Sequence, residues 1–262
     1  MFTVYLPPYE MIQFAGLLWL LLMLAPLVAL QRLLHREIQA AIFIASGGNA
    51  RFTMAVFSIL FLPGVLLHEF SHFFMAKLLG VRIQGFSIIP RMMPEGYLRM
   101  GYVEVSESDI VRDSLIGAAP VILGTLAIAY MAIFRLDLVP LWDVLRNGQM
   151  GLFWFGITIL PGVKDFYLWF YLTFAVSSTM LPSQTDRHSW LLLGISVAIL
   201  IVLALLAGVG PWMMANLAPW LNAFLRAVAI LFGLSAVVHG ILIMPVMLLH
   251  RLLVHWQGWD VG

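Results

Sequence analysis

The stretch GVLLHEFSHFFMAK, residues 64–77, places His68, Glu69 and His72 close together in an otherwise apolar run. On an α-helix, residues i and i+4 lie on one face, so the two imidazoles can point at a single position. Zinc accepts such a pair, and a glutamate beside the first histidine can take a proton from a water molecule. The HExxH spacing therefore predicts a hydrolytic zinc site, with His68 and His72 as ligands and Glu69 as general base.

The two histidines have a second interpretation, because buried helix histidines also form hydrogen bonds between neighbouring helices. An ionisable side chain at bilayer depth costs about 2.5–3.5 kcal/mol on insertion scales, however, and three such groups need a compensating charge. A divalent cation supplies that charge directly. The apolar surroundings therefore favour zinc binding over simple packing.

The composition is that of an integral membrane protein. Of the 262 residues, 62% are hydrophobic and 10% are charged, and the mean hydropathy is +0.98. A soluble domain carries about 25% charged residues. The net charge of +1 gives no reason to expect a nucleic-acid partner. The chain has no cysteine, which excludes disulfides, thiolate metal sites and cysteine nucleophiles.

Six stretches are apolar and long enough to cross a bilayer, which takes about 20 residues. They are residues 11–34, 52–79, 110–134, 163–181, 190–210 and 225–249. We therefore expect an all-α polytopic membrane protein with about six transmembrane helices. Lysine and arginine divide seven to seven between the two sets of loops, so their distribution predicts no orientation.

The loop after the HExxH helix, residues 80–109, is the longest between the predicted spans. It contains two segments rich in Val, Ile, Phe and Tyr, separated by Pro-Glu-Gly. This pattern indicates a β-hairpin at residues 81–105, with an irregular surface loop as the alternative.

A catalytic zinc site needs a third protein ligand. Asp186 is the best candidate, because it lies in the polar break LPSQTDRHSW at the end of the fourth predicted span. The alternative is that Asp186 is an ordinary loop acid beside Arg187. His188 is the reserve ligand. Glu95 and Glu104 fall within the predicted hairpin and are less suitable.

The segment LLHEFSHFFMAKLLGVRIQGFSI, residues 66–88, resembles the signature of the site-2 proteases, which are intramembrane zinc metalloproteases. The resemblance implies Zn²⁺ held by His68, His72 and Asp186, with Glu69 as general base. It also implies a membrane-protein substrate bound in extended form. The active site would then open towards the cytoplasm, in the cytoplasmic membrane of a prokaryote.

The resemblance also implies a domain organisation. We expect one membrane domain over residues 1–262, with a three-helix catalytic core and its hairpin at residues 52–190. The flanking helices occupy residues 1–51 and 191–262 and, with the core, lie in the lipid bilayer. No loop is long enough to hold the PDZ-type domain found in the family.

Two parts of the chain depart from the family pattern. The family's third-ligand motif is Leu-Asp-Gly, which is not present around Asp186, and its asparagine after Gly-Pro corresponds to Leu123 in SLIGAAPVILG. These departures favour an alternative function, that of a non-catalytic membrane subunit that holds partner subunits in a larger complex. A transporter is a third hypothesis, but the spans carry almost no charge outside the HExxH cluster.

Overall fold

The helices and strands follow the breaks in the sequence. The computed structural model describes residues 15–87, 91–92, 98–99 and 101–257, with the backbone alone at 91–92 and 98–99. The helices are α1 Ala15–Ala45, α2 Ala50–Leu78, α3 Ile110–Tyr130, α4 Leu138–Arg146, α5 Met150–Ile159, α6 Phe166–Thr179, α7 Trp190–Leu206, α8 Gly210–Asn216 and α9 Ala218–Gln257. The strands are β1 Ile83–Ser87, β2 Arg91–Met92, β3 Leu98–Arg99 and β4 Tyr102–Val105.

Long apolar helices dominate, which confirms the expected all-α membrane protein with a small sheet. The helices α1, α2 and α9 are each long and apolar enough to cross a bilayer, as is α3 with the π-helical turn that extends it to Arg135. The helices α7 and α8 pass the same test only as a pair, and the chain bends by 112° between them. The described residues thus contain four candidate spans, or five with the bent pair, rather than six.

The fourth predicted span, residues 163–181, contains only the short helix α6. Its 14 residues extend for about 21 Å, whereas the hydrocarbon core of a bilayer is about 30 Å thick. Residues 173–178 of α6 are all buried inside the protein. Hydropathy does not distinguish such a short, half-buried helix from a full lipid-facing span, because both are apolar.

The first and last long helices, α1 and α9, run parallel. Their contacts pair Gly16 with Asn222, Met23 with Gly233, Leu30 with Gly240 and Glu37 with His250. Both helices therefore begin at the same end of the bundle.

The bent pair α7–α8 leaves that end of the bundle and returns to it. The contacts of Leu60 with Tyr171 and of His68 with Thr179 show that α6 runs parallel to α2. The helix α2 runs back towards the end where α1 begins, so α6 runs towards that end as well. Since α9 begins at this same end, the chain enters α7 and leaves α8 at one end of the bundle. Neither of these two helices has a buried residue.

Glycines allow the helices around the HExxH motif to approach closely. A Cβ atom on Gly64 of α2 would overlap with the carbonyl group of Ala175 in α6. A Cβ atom on Gly124 of α3 would lie 2.6 Å from Cβ of Met180, just beyond α6. Small residues at helix crossings permit this kind of backbone contact in membrane proteins.

The predicted hairpin is confirmed as two antiparallel strand pairs. Strand β1 pairs with β4, with Ile83 opposite Val105, and β2 pairs with β3. Ile83 and Val105 pack against Ala76 and Ile116, which attaches the sheet to the end of α2 and the start of α3. The predicted turn at residues 94–96 lies outside the described residues.

Replacing Gly64 with alanine should destabilise the protein by about 1–3 kcal/mol, the usual cost of overpacking, because the new Cβ atom must separate α2 from α6. The matched control is Gly194→Ala in α7, where a Cβ atom meets nothing within 4 Å. The thermal midpoints of both variants can be measured in detergent by monitoring unfolding with circular dichroism. Equal midpoints for the two variants would contradict the close packing at Gly64.

Candidate metal centre

His68 and His72 point their Nε2 atoms at one another from successive turns of α2. The two Nε2 atoms are 3.2 Å apart, and the side chains are 15% and 9% exposed. At 1.5 Å per residue, they lie about 15 and 9 Å along the helix from Leu78, its last residue. The pair is therefore inside the bundle, below the end that carries the sheet.

Backbone carbonyls of two neighbouring helices fix the orientation of both rings. Nδ1 of His68 donates to the carbonyl oxygen of Thr179 at 2.7 Å, and Nδ1 of His72 donates to that of Ile116 at 2.9 Å. A carbonyl oxygen can only accept, so each neutral ring carries its proton on Nδ1 and its lone pair on Nε2. Metal-binding histidines are commonly held in this way by their second nitrogen.

The sequence leaves both carbonyls without a helical partner. In α3 the amide four residues after Ile116 would belong to Pro120, which has no N–H group. Thr179 is the last residue of α6, where helix carbonyls have no amide to accept from. The two imidazoles satisfy groups that the α-helical pattern itself leaves unpaired.

Asp186 completes the group from the loop between α6 and α7. Its Oδ1 atom is 3.3 Å from Nε2 of His72, and its Oδ2 atom is 3.7 Å from Nε2 of His68. Oδ2 also accepts a hydrogen bond from the backbone amide of Ser183 at 2.7 Å. In return, the amide of Asp186 donates to Oγ of Ser183 at 3.2 Å. These reciprocal bonds orient the carboxylate towards the histidines.

A glycine of α3 gives the Asp186 loop access to the histidines. A Cβ atom on Gly117 would overlap with the backbone carbonyl oxygen of Asp186. Any larger residue at this position would force the loop to move away from α3.

The electrostatics of the site favour a bound cation. Nε2 of each neutral ring carries a lone pair, and the Asp186 carboxylate lies 3.3 Å from Nε2 of His72 and 3.7 Å from Nε2 of His68. Three electron-rich groups this close require a proton or a metal ion between them.

The donor set and its spacing fit zinc. The ligand atoms of His68, His72 and Asp186 all lie within 4.8 Å of one another, and no other such group occurs among the described residues. Two ligands of a tetrahedral zinc ion, each at about 2.0–2.1 Å, are separated by about 3.3–3.4 Å. The two shortest separations in the group, 3.2 and 3.3 Å, are close to this value. Three protein ligands also leave the fourth position that a catalytic zinc keeps open.

Glu69 lies next to this group without being part of it. Its side chain is buried and contacts the sheet, since a Cβ atom on Gly101 would lie 2.7 Å from Cγ and 3.1 Å from Oε1 of Glu69. The carboxylate therefore faces the backbone that leads into β4.

The other sequence-predicted candidates lie elsewhere. His188, the reserve ligand, donates from Nε2 to Asp113 at 2.9 Å. Arg187 donates to the carbonyl oxygen of Ser183, and Asp186 points at the histidines rather than at Arg187. Glu104 lies on the exposed side of β4, and Glu95 lies outside the described residues.

Sequence reasoning missed the residues that position the ligands. Pro120 and Gly117, both in α3, carried a signal, because a proline in an apolar helix implies an unpaired carbonyl four residues earlier and a glycine permits close approach. The role of Thr179 depends on where α6 ends, which is not visible in a local pattern.

The chain matches none of the protein-family models, curated proteins or solved structures with which it was compared. The site is therefore interpreted from its own geometry and chemistry.

Replacing Gly117 with alanine should weaken zinc binding by about 10–100-fold, the usual effect of disturbing the groups that orient metal ligands, because Asp186 must move away from the histidines. Gly151→Ala is the control, since a Cβ atom there meets nothing within 4 Å. Competition with a chromogenic chelator measures the affinity of both purified variants. Wild-type affinity for Gly117→Ala would show that the Asp186 loop does not depend on this contact.

Proposed function

We propose that the chain is an intramembrane zinc metalloprotease that hydrolyses peptide bonds of membrane-protein substrates. The observation that carries the proposal is the convergence of His68, His72 and Asp186 inside a bundle of apolar helices, with Glu69 beside them. A structural histidine pair would have no need of a carboxylate from another loop, and Asp186 supplies one within 3.7 Å of both Nε2 atoms. The resemblance of residues 66–88 to the site-2 protease signature agrees with this chemistry.

Each residue of the site has a distinct task in this proposal. His68, His72 and Asp186 hold the ion, and the carbonyls of Thr179 and Ile116 keep the imidazoles in the tautomer that binds it. With a zinc ion held there, the site would supply a Lewis acid for the scissile carbonyl group and for the water molecule that attacks it. Glu69 accepts a proton from the attacking water and delivers it to the leaving amine.

The sheet is the element that would present the substrate. A protease needs an extended peptide, because a helix hides its backbone in internal hydrogen bonds. Strand addition to an exposed sheet edge supplies that conformation, and β1 and β4 form a two-stranded sheet attached to the end of the HExxH helix. The contact of Gly101 with Glu69 links this sheet directly to the general base.

The second candidate function is a non-catalytic membrane subunit that holds partners in a larger complex. The absence of a Leu-Asp-Gly motif around Asp186 and of the family's asparagine favours it. It predicts stable co-purification with other subunits and no cleavage. The catalytic proposal predicts cleavage that depends on Glu69, so a comparison of the wild type with a Glu69 variant distinguishes the two functions.

The test is a comparison of membranes that contain wild-type protein with membranes that contain Glu69→Gln. Glu69→Gln keeps the three metal ligands and removes the base, so it should bind zinc and lose turnover. New protein N-termini within apolar segments, identified by mass spectrometry, should be present with the wild type and absent with the variant. Identical sets of N-termini from the two membranes would contradict the protease proposal.

The strand-addition step predicts a separate phenotype for the sheet. Proline at Ile83 removes a backbone donor from β1 and should abolish cleavage, because proline cannot take part in a strand ladder. Ser87→Pro at the other end of β1 should act in the same way. Zinc content, measured in parallel, should stay at the wild-type level. Loss of zinc in these variants would mean that the sheet supports the metal site rather than the substrate.

The helix directions further predict that the chain crosses the membrane five times, along α1, α2, α3, α6 together with the loop that follows it, and α9, with α7–α8 as a re-entrant excursion. Because the chain has no cysteine, single cysteines can be introduced into the wild-type background. Asn216→Cys should react with a membrane-impermeant maleimide from the same side as Glu107→Cys. Asn147→Cys, at the opposite end of the bundle, should react from the other side. Labelling of Asn216→Cys together with Asn147→Cys would restore the six-span topology.

A further inference from the structure

The carboxylate of Asp113, in the first turn of α3, lies outside the metal group and accepts three hydrogen bonds. Oγ of Ser108 donates to Oδ1 at 3.0 Å. Nε2 of His188 and Oγ of Ser189 both donate to Oδ2, at 2.9 and 3.0 Å. Two of the three donors belong to the loop that carries Asp186.

This loop has little regular structure of its own. Residues 180–189 contain neither helix nor strand. The internal backbone hydrogen bonds are long, at 3.3 Å from Arg187 to Gln184 and 3.4 Å from His188 to Thr185. Ser183 orients the Asp186 carboxylate within the turn. The placement of the whole turn beside the histidines depends on its contacts with other elements.

Helix α3 supplies those contacts. Asp113 binds the loop two and three residues after Asp186, and Ser189 is almost fully buried there at 6% exposure. The indole of Trp190 donates to the carbonyl oxygen of Ser114 at 3.3 Å. On the next turn, Gly117 leaves room for the backbone of Asp186. The first two turns of α3 thus provide the surface against which the loop packs. Asp113 is the residue that contacts the loop through a charged side chain.

We propose that Asp113 is a positioning residue, which fastens the loop at His188 and Ser189 and so sets how well Asp186 binds the metal. The inference rests on the metal site of the proposed function. It assigns to Asp113 the role that outer groups have at other metal sites, where their loss weakens metal affinity by about 10–100-fold. Asp113 acts through the loop and does not contact the three ligands.

The experiment measures zinc affinity of the full-length, detergent-purified protein by competition with a chromogenic chelator, and the thermal midpoint of the zinc-free protein. Asp113→Ala should bind zinc about 10–100-fold more weakly than the wild type. Asp113→Asn, whose amide oxygen can still accept from His188 and Ser189, should recover part of this loss. Ser189→Ala, which removes one donor, should lose less than Asp113→Ala.

Asp109 provides the matched control. It caps the same helix by accepting from the amides of Val111 and Arg112, at 3.1 and 3.0 Å, and pairs with the side chain of Arg112. Asp109→Ala therefore weakens the start of α3 without releasing the loop. It should lower the thermal midpoint but keep an affinity close to that of the wild type.

The outcomes separate the inference from the function on which it rests. Equal zinc affinities of Asp113→Ala and the wild type, or equal losses in Asp113→Ala and Asp109→Ala, would overturn the positioning role and leave the metal site intact. A wild type that binds no zinc would overturn the metal site and the inference with it. If Asp113→Ala does not fold, the zinc affinities of Ser189→Ala and Asp113→Asn test the inference instead. Wild-type zinc affinity in both variants would overturn it.

Discussion

Two imidazole nitrogens and a carboxylate meet within a few ångströms inside a bundle of apolar helices, and this concentration of lone pairs constrains everything around it. Each imidazole must be held so that Nε2 faces the others, which requires an acceptor at each Nδ1. Helices α3 and α6 supply these acceptors at the two carbonyls that proline and a helix end leave unpaired. The three helices are thus tied together by the hydrogen bonds of the site itself, and the remaining charge balance calls for a cation.

The close helix packing serves the same site. Gly64 lets α6 approach α2, which brings Thr179 to His68. Gly117 lets the loop after α6 pass close to α3, which brings Asp186 to the same point. Helix α6 is too short to cross the hydrocarbon core by itself, and the end of its buried second half inside the bundle is what allows a loop acid to reach the histidines. A full-length span in its place would carry Asp186 past them.

Local patterns predicted the grouping of His68, His72 and Asp186 better than the path of the chain through the membrane. The HExxH spacing, the polar break around Asp186 and the alternating stretch at residues 81–105 each depend on a few neighbouring residues, and the structure places all three features together. The number of spans depends on tertiary packing. Hydropathy assigns residues 163–181 and 190–210 to full spans because it depends on apolarity alone. The first segment contains only a short, half-buried helix, and the second begins the bent pair α7–α8. The parallel pairing of α1 with α9 and the role of Asp113 join residues far apart in sequence, and no window of sequence contains both partners.

The central claim is that His68, His72 and Asp186 bind one zinc ion. Elemental mass spectrometry of detergent-purified protein, prepared without chelators, tests it directly. The account predicts about one zinc per chain in the wild type and in Glu69→Gln, and loss of zinc in His68→Ala, His72→Ala and Asp186→Ala. A wild type without zinc, zinc retained by Asp186→Ala, or iron in place of zinc would contradict it.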